Sequence, residues 1–466
     1  NRNRDNRVAA GHSAAVVSGA LSAHPRRRRC RGGNGSPPRP HSGLALRVRV
    51  AVAITGPDAD AARDILMADG HDVQQDPQAG ACDLVVVDEW TPETAPVVQD
   101  ARRRGVPVTV LAEMILDRAG GPVVGITGTA GKTSTARALS DLLESARVPH
   151  AISRTARSSN AWPDHSLAEG TTEGTVLIAE LTSTHLCHMR RVHPDVAVIT
   201  LIRPDHVELH GSLAAYRAAK RRIVGEQDSS DAVVLPADDP ETLECVGPVA
   251  AATWWFGDAD PGWLGAFTGN DTMVLRDGHG EIRVAAPLPP GPGRRALAAA
   301  AAAALALGVD RTLVARGVPR VQPVAHRLAP HKHARGVTIV DDSMAATPLK
   351  AMEGIAAVAA PGAGAPVIIV GGDDCLGGVA VHRAPEEEQI LERAVRAARS
   401  AAGLLVTFGP AAARVRAYCT PDLECADIHA ALAVGISSAP PGGVVLIAPM
   451  FPMRPDERMA VAQAAD

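Results

Sequence analysis

Aromatic residues are nearly missing. Phe, Trp and Tyr together make up 2% of the 466 residues. So few rings argue against a surface that stacks nucleic-acid bases. A net charge of −4 supplies no basic field for nucleic acid either. The seven cysteines include no C-x-x-C pair, which argues against a zinc site or a disulfide framework and fits a reducing cytoplasm. The longest apolar run, around 296–309, is Ala-rich and too short to span a bilayer. Residues 1–46 lack the long apolar core of a targeting peptide and any periodic pattern. They carry an arginine run and a Gly/Pro/Ser stretch, and are expected to form a disordered basic tail.

What is present is a regular alternation of short β-branched runs with helical patterns, in a chain that is 46% hydrophobic. This alternation predicts an α/β protein of parallel sheets, and the length predicts two or three domains. Three blocks are visible: 47–118, 119–320 and 321–466. The first is expected to have strands at 47–54, 83–87 and 106–111, and helices at 59–68 and 91–104. The second has strands at 123–127, 175–179, 196–201 and 232–235, a helix from 132 to about 146, and an Ala-rich helix near 296. The third has strands at 337–340, 367–370, 404–408 and 444–447.

The most informative segment joins the strand at 123–127 to the helix after it. Gly128-Thr129-Ala130-Gly131-Lys132-Thr133 reads G-x-x-G-K-T. Glycines there let backbone N–H groups turn toward phosphate oxygens, and the helix start adds positive potential. Lys132 can reach the β- and γ-phosphates, and the Thr133 hydroxyl can ligate Mg²⁺. The spacing departs from the strict phosphate-loop pattern, because Ile126 stands at its first glycine.

Other motifs follow in order: Ala179-Glu180-Leu181-Thr182-Ser183, Asp205-His206 with His210-Gly211-Ser212, Tyr216-Arg217-Ala218-Ala219-Lys220, Asp238-Asp239-Pro240, His326-Arg327 and Asp341-Asp342-Ser343. Together with the loop 125–135, this series resembles the Mur ligases, the cytoplasmic enzymes that build the peptide stem of peptidoglycan. The short first domain and the C-terminal motifs look most like the branch that adds D-glutamate. The resemblance implies three domains, each a mainly parallel sheet with flanking helices, around a central phosphate-loop ATPase. It implies an ATP-dependent, ADP-forming ligase that makes an acyl-phosphate, which an amine then attacks. Gly128, Thr129, Ala130, Gly131, Lys132, Thr133 and Ser134 would hold the nucleotide. Arg327 and Asp342 would reach it from the third domain. Thr133, Glu180, His206 and Lys220 would hold Mg²⁺, with Lys220 carbamylated. Lys132, Lys220, His206 and Arg327 would carry the catalysis. The implied partners are small molecules: a carboxylate such as a UDP-MurNAc-peptide, and an amino acid. The expected protein is a monomer that binds neither nucleic acid nor membrane.

Several positions depart from that pattern. Ala130 replaces an asparagine, and by spacing Pro292-Gly293-Arg294-Arg295-Ala296 replaces H-N-x-x-N before the Ala-rich helix. Met344 and Cys375 stand where two lysines, and the run Ala448-Pro449-Met450-Phe451-Pro452-Met453 stands where a serine, would meet a glutamate. A glutamate side chain there would lose charge-assisted hydrogen bonds worth about 1.5–3 kcal/mol each, so a neutral or apolar acceptor is expected. Asp88-Glu89-Trp90-Thr91 and the turn at 53–58 replace uridine-diphosphate-binding segments. A related ligase recruited to another pathway, a nucleotide-binding pseudoenzyme and, less well matched, a folate-polyglutamate ligase are the alternatives. Lys132, Glu180, His206 and Lys220 speak against the pseudoenzyme.

Overall fold

The computed structural model describes residues 49–53, 57–74, 82–153, 167, 170–269, 271–286, 291–359, 364–376, 379–380 and 384–465. The expected tail at 1–46, the turn at 54–56 and the edge of the first strand lie outside the described residues.

The first sheet has the order β2-β1-β3-β4 and is parallel throughout. Its strands are β1 (Arg49–Val52), β2 (Asp72–Gln74), β3 (Leu84–Val87) and β4 (Val108–Val110), with α1 (Pro57–Ala68), α2 (Pro96–Arg103) and α3 (Leu111–Asp117) between and after them. Leu84-Val85-Val86-Val87 is buried along its whole length, as expected of a parallel strand covered on both faces. α2 starts later than the expected 91, because Pro96 takes its first turn and Ala95 before it is held out of the helical region at φ −58° and ψ 139°. Leu111 opens α3 rather than ending a strand, an element the short apolar run did not reveal.

The second sheet has nine strands in the order β13-β12-β11-β10-β9-β8-β5-β7-β6. Its elements run β5 (Val123–Thr127), α4 (Lys132–Ser145), β6 (His150–Ser153), β7 (Val176–Glu180), α5 (Ser183–His188), β8 (Val196–Ile199), α6 (Val207–His210), α7 (Leu213–Arg221), β9 (Ala232–Pro236), α8 (Pro240–Val246), β10 (Ala252–Gly257), β11 (Gly265–Thr268), β12 (Thr272–Asp277), β13 (Gly280–Ala285), α9 (Pro292–Ala306) and α10 (Arg311–Gly317). Strands β6 to β11 pair in parallel, while β12 and β13 add an antiparallel meander. The meander was not expected, since β12 has only the short apolar run Met273 to Leu275 and β13 alternates polar and apolar residues. β5 lies between β7 and β8, where chain direction across the sheet reverses. Such switch points leave a crevice at the strand ends where ligands bind. Thr182, Ser212 and Asp239 cap α5, α7 and α8.

The third sheet has the order β14-β15-β21-β16-β19-β20. It contains β14 (Ala329–Lys332), β15 (Thr338–Asp341), α11 (Pro348–Val358), β16 (Val367–Gly371), the small pair β17 (Cys375–Leu376) and β18 (Val379–Ala380), α12 (Pro385–Ala401), β19 (Leu404–Phe408), α13 (Ala412–Arg416), β20 (Leu423–Cys425), α14 (Ile428–Ser438), β21 (Val444–Met450) and α15 (Pro455–Ala465). All neighbours are parallel except the edge strand β14. No helix among the described residues is long and apolar enough to cross a membrane.

Two polar contacts tie these layers together. Glu93, after β3, lies 3.0 Å from His210 Nδ1 and accepts from Arg102 Nη2 at 2.8 Å. Glu387, in the first turn of α12, accepts from the Val207 amide of α6 at 3.2 Å.

Candidate active site

The phosphate loop occupies the crevice at the end of β5. Gly128 and Gly131 have φ of 147° and 87°, values side-chain-bearing residues rarely adopt. A Cβ on Gly128 would lie 2.0 Å from the Thr200 hydroxyl oxygen. That hydroxyl donates to the Ala130 carbonyl at 2.5 Å, so β8 fixes the loop from below. Lys132 Nζ folds back to the Gly128 carbonyl at 2.8 Å. Thr133 Oγ1 donates to Glu180 Oε2 at 2.9 Å, which places the last residue of β7 beside the first turn of α4.

α7 supplies the opposite wall. Tyr216 and Lys220 share one helix face by their i, i+4 spacing. Lys220 is 2% exposed rather than solvated. Its Nζ donates to the Gly128 carbonyl at 3.1 Å and to Thr127 Oγ1 at 3.4 Å. The Tyr216 hydroxyl lies 2.7 Å from Thr129 Oγ1. His206 has φ of 54° just before α6, and its ring meets Trp90 edge-on at 5.8 Å.

The third domain closes the cleft, whose volume is about 640 Å³. Gly128 to Ser134, Glu180, His206 and Lys220 line it from the central domain, and Arg327 from the third. The anticipated Met344 and Cys375 also line it, and from the run 448–453 it is Pro452 and Met453 that do so. Asp342 does not. It is 4% exposed, sits behind the wall, and accepts from the Leu328 amide at 3.3 Å.

Three cationic cleft residues were not anticipated: Lys350, Arg454 and Arg458. Their signal was available. Lys350 is one helical turn past the cap residue Thr347, and Arg454 and Arg458 share the i, i+4 spacing at the start of α15. Arg458 donates to the Met453 carbonyl, and Arg454 pairs with Glu457 at 3.0 Å.

The electrostatics describe a cavity crowded with cations. Burial pushes Lys132 down from the usual lysine range, against the pull of Glu180 and Asp205. Burial and Lys132 push Lys220 well down. Burial lowers Lys350 to about 8 and lowers Arg327. Burial opposes a charged His206, but the Asp205 and Glu208 carboxylates outweigh it and raise the imidazole. Such a cavity is stabilised by incoming polyanions, because each cation regains a counter-charge in a low-dielectric place.

The segment after β3 has a different character. Glu89 Oε2 lies 2.9 Å from His185 Nε2 in a buried pair, and Glu89 Oε1 accepts from Trp90 Nε1 at 2.8 Å. A buried carboxylate therefore occupies a place where the resemblance implied contacts to a diphosphate.

A glycine phosphate loop at a sheet's switch point, an acidic and imidazole-bearing wall beside it, and a third domain bringing cations across the cleft define an ATP-dependent ligase of three-domain α/β architecture. Residues 126–283 match the Mur ligase middle domain. The UDP-N-acetylmuramoylalanine–D-glutamate ligase of Symbiobacterium thermophilum is 28% identical over 379 residues, covering 79% of each chain. The enzyme of the same name from Acidobacterium capsulatum is 28% identical over 79% of this chain and 77% of its own. Among solved structures, MurF ligase from Thermotoga maritima in complex with ADP aligns with a TM-score of 0.59 and 19% identity, over 90% of this chain and 95% of that one. A pseudomurein peptide ligase type C from Methanothermus fervidus gives a TM-score of 0.59 and 16% identity, over 90% of this chain and all of that one. The central block thus matches the Mur ligase middle domain, and over most of its length the chain is similar to Mur ligases at the identity of a divergent relative.

Proposed function

We propose that the protein joins a small-molecule carboxylate to the amine of an amino acid in peptidoglycan precursor synthesis, in the cytoplasm and as a monomer. The observation that carries this reading is the meeting of Lys132, Glu180, His206 and Lys220 with Arg327 in one cleft. A carboxylate oxygen attacks the γ-phosphorus of ATP and ADP leaves. The amine then attacks the acyl carbon, phosphate departs, and the amine loses its proton. The turned amides of Gly128 to Thr133 and the Lys132 ammonium hold the phosphates in line. Arg327 adds charge as the third domain closes and water is excluded.

The residues around the loop fit Mg²⁺. Glu180 and the Thr133 hydroxyl already meet at 2.9 Å, and hard oxygen donors suit that ion. Thr133, Glu180, His206 and a carbamylated Lys220 would hold it. When bound, Mg²⁺ neutralises phosphate charge. Burial keeps the Lys220 amine well below the usual lysine range, which favours the neutral form that adds to carbon dioxide.

The test is ATP-dependent phosphate release with a panel of amino acids, with and without UDP-MurNAc-L-Ala. Release that requires both the UDP-sugar peptide and an amino acid supports the reading. The buried Glu89–His185 pair favours a second reading, a Mur-type ligase acting on a different acid. Release with other carboxylates but not with the UDP-sugar peptide would establish it. Nucleotide binding without release under any combination would overturn both.

A further inference from the structure

Most cations of the cleft already have partners. Lys132 and Lys220 both donate to the Gly128 carbonyl. Arg458 donates to the Met453 carbonyl and Arg454 is paired with Glu457. Lys350 differs. Among the described residues its ammonium has no hydrogen bond and no ion-pair partner, although it is half-buried and lines the cleft. A half-buried ammonium with no direct acceptor, pulled only by the more distant Asp205 and Glu353 carboxylates, is stabilised when an anion arrives beside it.

The place of Lys350 identifies that anion. Its backbone amide is held by the cap residue Thr347 at 3.5 Å, so its stem leaves from the first turn of α11. Other cleft-lining residues on the same stretch are Ser343, Met344, Ala346 and Thr347, which bring no second cation. The nucleotide phosphates have the loop amides, Lys132 and Arg327. The acceptor in a carboxylate–amine ligase is an amino acid, and whatever its side chain, it carries a carboxylate beside the reacting amine. Met344 and Met453 line the same cleft and suit an uncharged side chain, not that carboxylate.

We propose that Lys350 holds the carboxylate of the incoming amino acid, and so selects amino acids over simple amines. This rests on the ligase reading, but its test need not rely on turnover. Binding of D-alanine, D-glutamate and D-alaninamide to the full chain is measured by calorimetry, with ADP, Mg²⁺ and phosphate present. The wild-type chain, Lys350→Met and Lys350→Arg are compared. The expected result is that at least one of the two amino acids binds wild type and binds Lys350→Met about tenfold or more weakly, the scale of a lost charged hydrogen bond. Lys350→Arg restores part of the affinity, D-alaninamide binds no better to wild type than to Lys350→Met, and ADP affinity stays within about twofold. Equal amino-acid binding by wild type and Lys350→Met, or no amino-acid binding to the wild type, overturns the proposal. So does a loss confined to ADP or phosphate, which would assign Lys350 to the nucleotide. Amino-acid binding that depends on Lys350 in a chain that releases no phosphate from ATP would leave this site standing while the ligase reading fell.

Discussion

Glu387 of α12 reaches across the domain boundary to accept a hydrogen bond from the Val207 amide, one residue beyond His206. The same carboxylate accepts from the Ala384 amide at 3.2 Å. A single side chain thus caps its own helix and anchors the start of α6, where His206 is held at positive φ. Glu387→Ala leaves a buried amide without an acceptor, a loss of about 1–3 kcal/mol, and frees the His206 turn. Denaturant unfolding should register the loss, and ATP turnover should fall with it. Unchanged stability would remove the anchoring role.

The same residue gives a pH signature. Burial, with Glu208 and Asp205 nearby, raises the Glu387 carboxyl from 4.5 to about 7. Between those values the folded chain keeps a proton that the unfolded chain has lost. Stability from this group is therefore full below about pH 4.5 and declines as pH rises toward 7. Glu387→Gln should flatten that part of the stability curve, read as denaturation midpoints from pH 5 to 8.

Glu93 works in the opposite sense. Burial would raise it, but hydrogen bonds from His210 and Arg102 outweigh this and bring it from 4.5 to about 2. Its contribution is present above about pH 4.5 and is lost as pH falls toward 2. Since Glu93 pins the first-domain segment to α6, acid should loosen that contact early. Glu93→Gln should be less stable than wild type at neutral pH, and the difference should shrink with acid. A constant difference across the range would contradict this assignment.

The Thr133–Glu180 contact predicts how the ion requirement responds to mutation. Thr133→Val keeps the shape of the side chain and removes its donor. Groups that orient metal ligands typically contribute about 10- to 100-fold to metal affinity or activity. Nucleotide turnover titrated with Mg²⁺ should therefore need about tenfold more ion in Thr133→Val, and Glu180→Gln should be affected at least as much. An unshifted titration in both variants would exclude Glu180 and Thr133 as ion-binding residues.

The sequence made the donor half of the site legible because that chemistry is local. A glycine loop between an apolar strand and a helix, and Tyr216 to Lys220 at helical spacing, report their geometry within a few residues. The acceptor half is assembled from segments far apart in the chain. Met344, Cys375 and the run 448–453 were visible as substitutions, but Lys350, Arg454 and Arg458 gain their meaning only where α11 and α15 converge on the cleft. Asp342 shows the converse, since a motif residue expected at the nucleotide lies buried behind the wall instead of lining the cleft. The β10–β13 region was missed because its apolar runs are short and broken by Gly, Thr and charged residues, as in Gly265–Thr268 and Gly280–Ala285, although β11 is buried throughout.

The Ala-rich helix α9 was legible as a helix, but its role comes from packing. Ala298 to Ala304 are fully buried, and α9 packs against α4 as well as β10 and β11. It is enclosed by the very helix that begins with Lys132 and Thr133. Methyl side chains let α9 approach these neighbours closely, and such an interior has no spare volume. Ala301→Leu inserts a branched side chain where only a methyl group fits. A cost of about 1–3 kcal/mol is expected from overpacking, together with a displaced α4 and weaker ATP binding. Ala301→Ser changes volume little and should leave nucleotide affinity near wild type. Denaturant unfolding and nucleotide titration on the two variants would test this coupling. Tight ATP binding in an Ala301→Leu protein that is clearly destabilised would show that α4 holds the loop independently of α9.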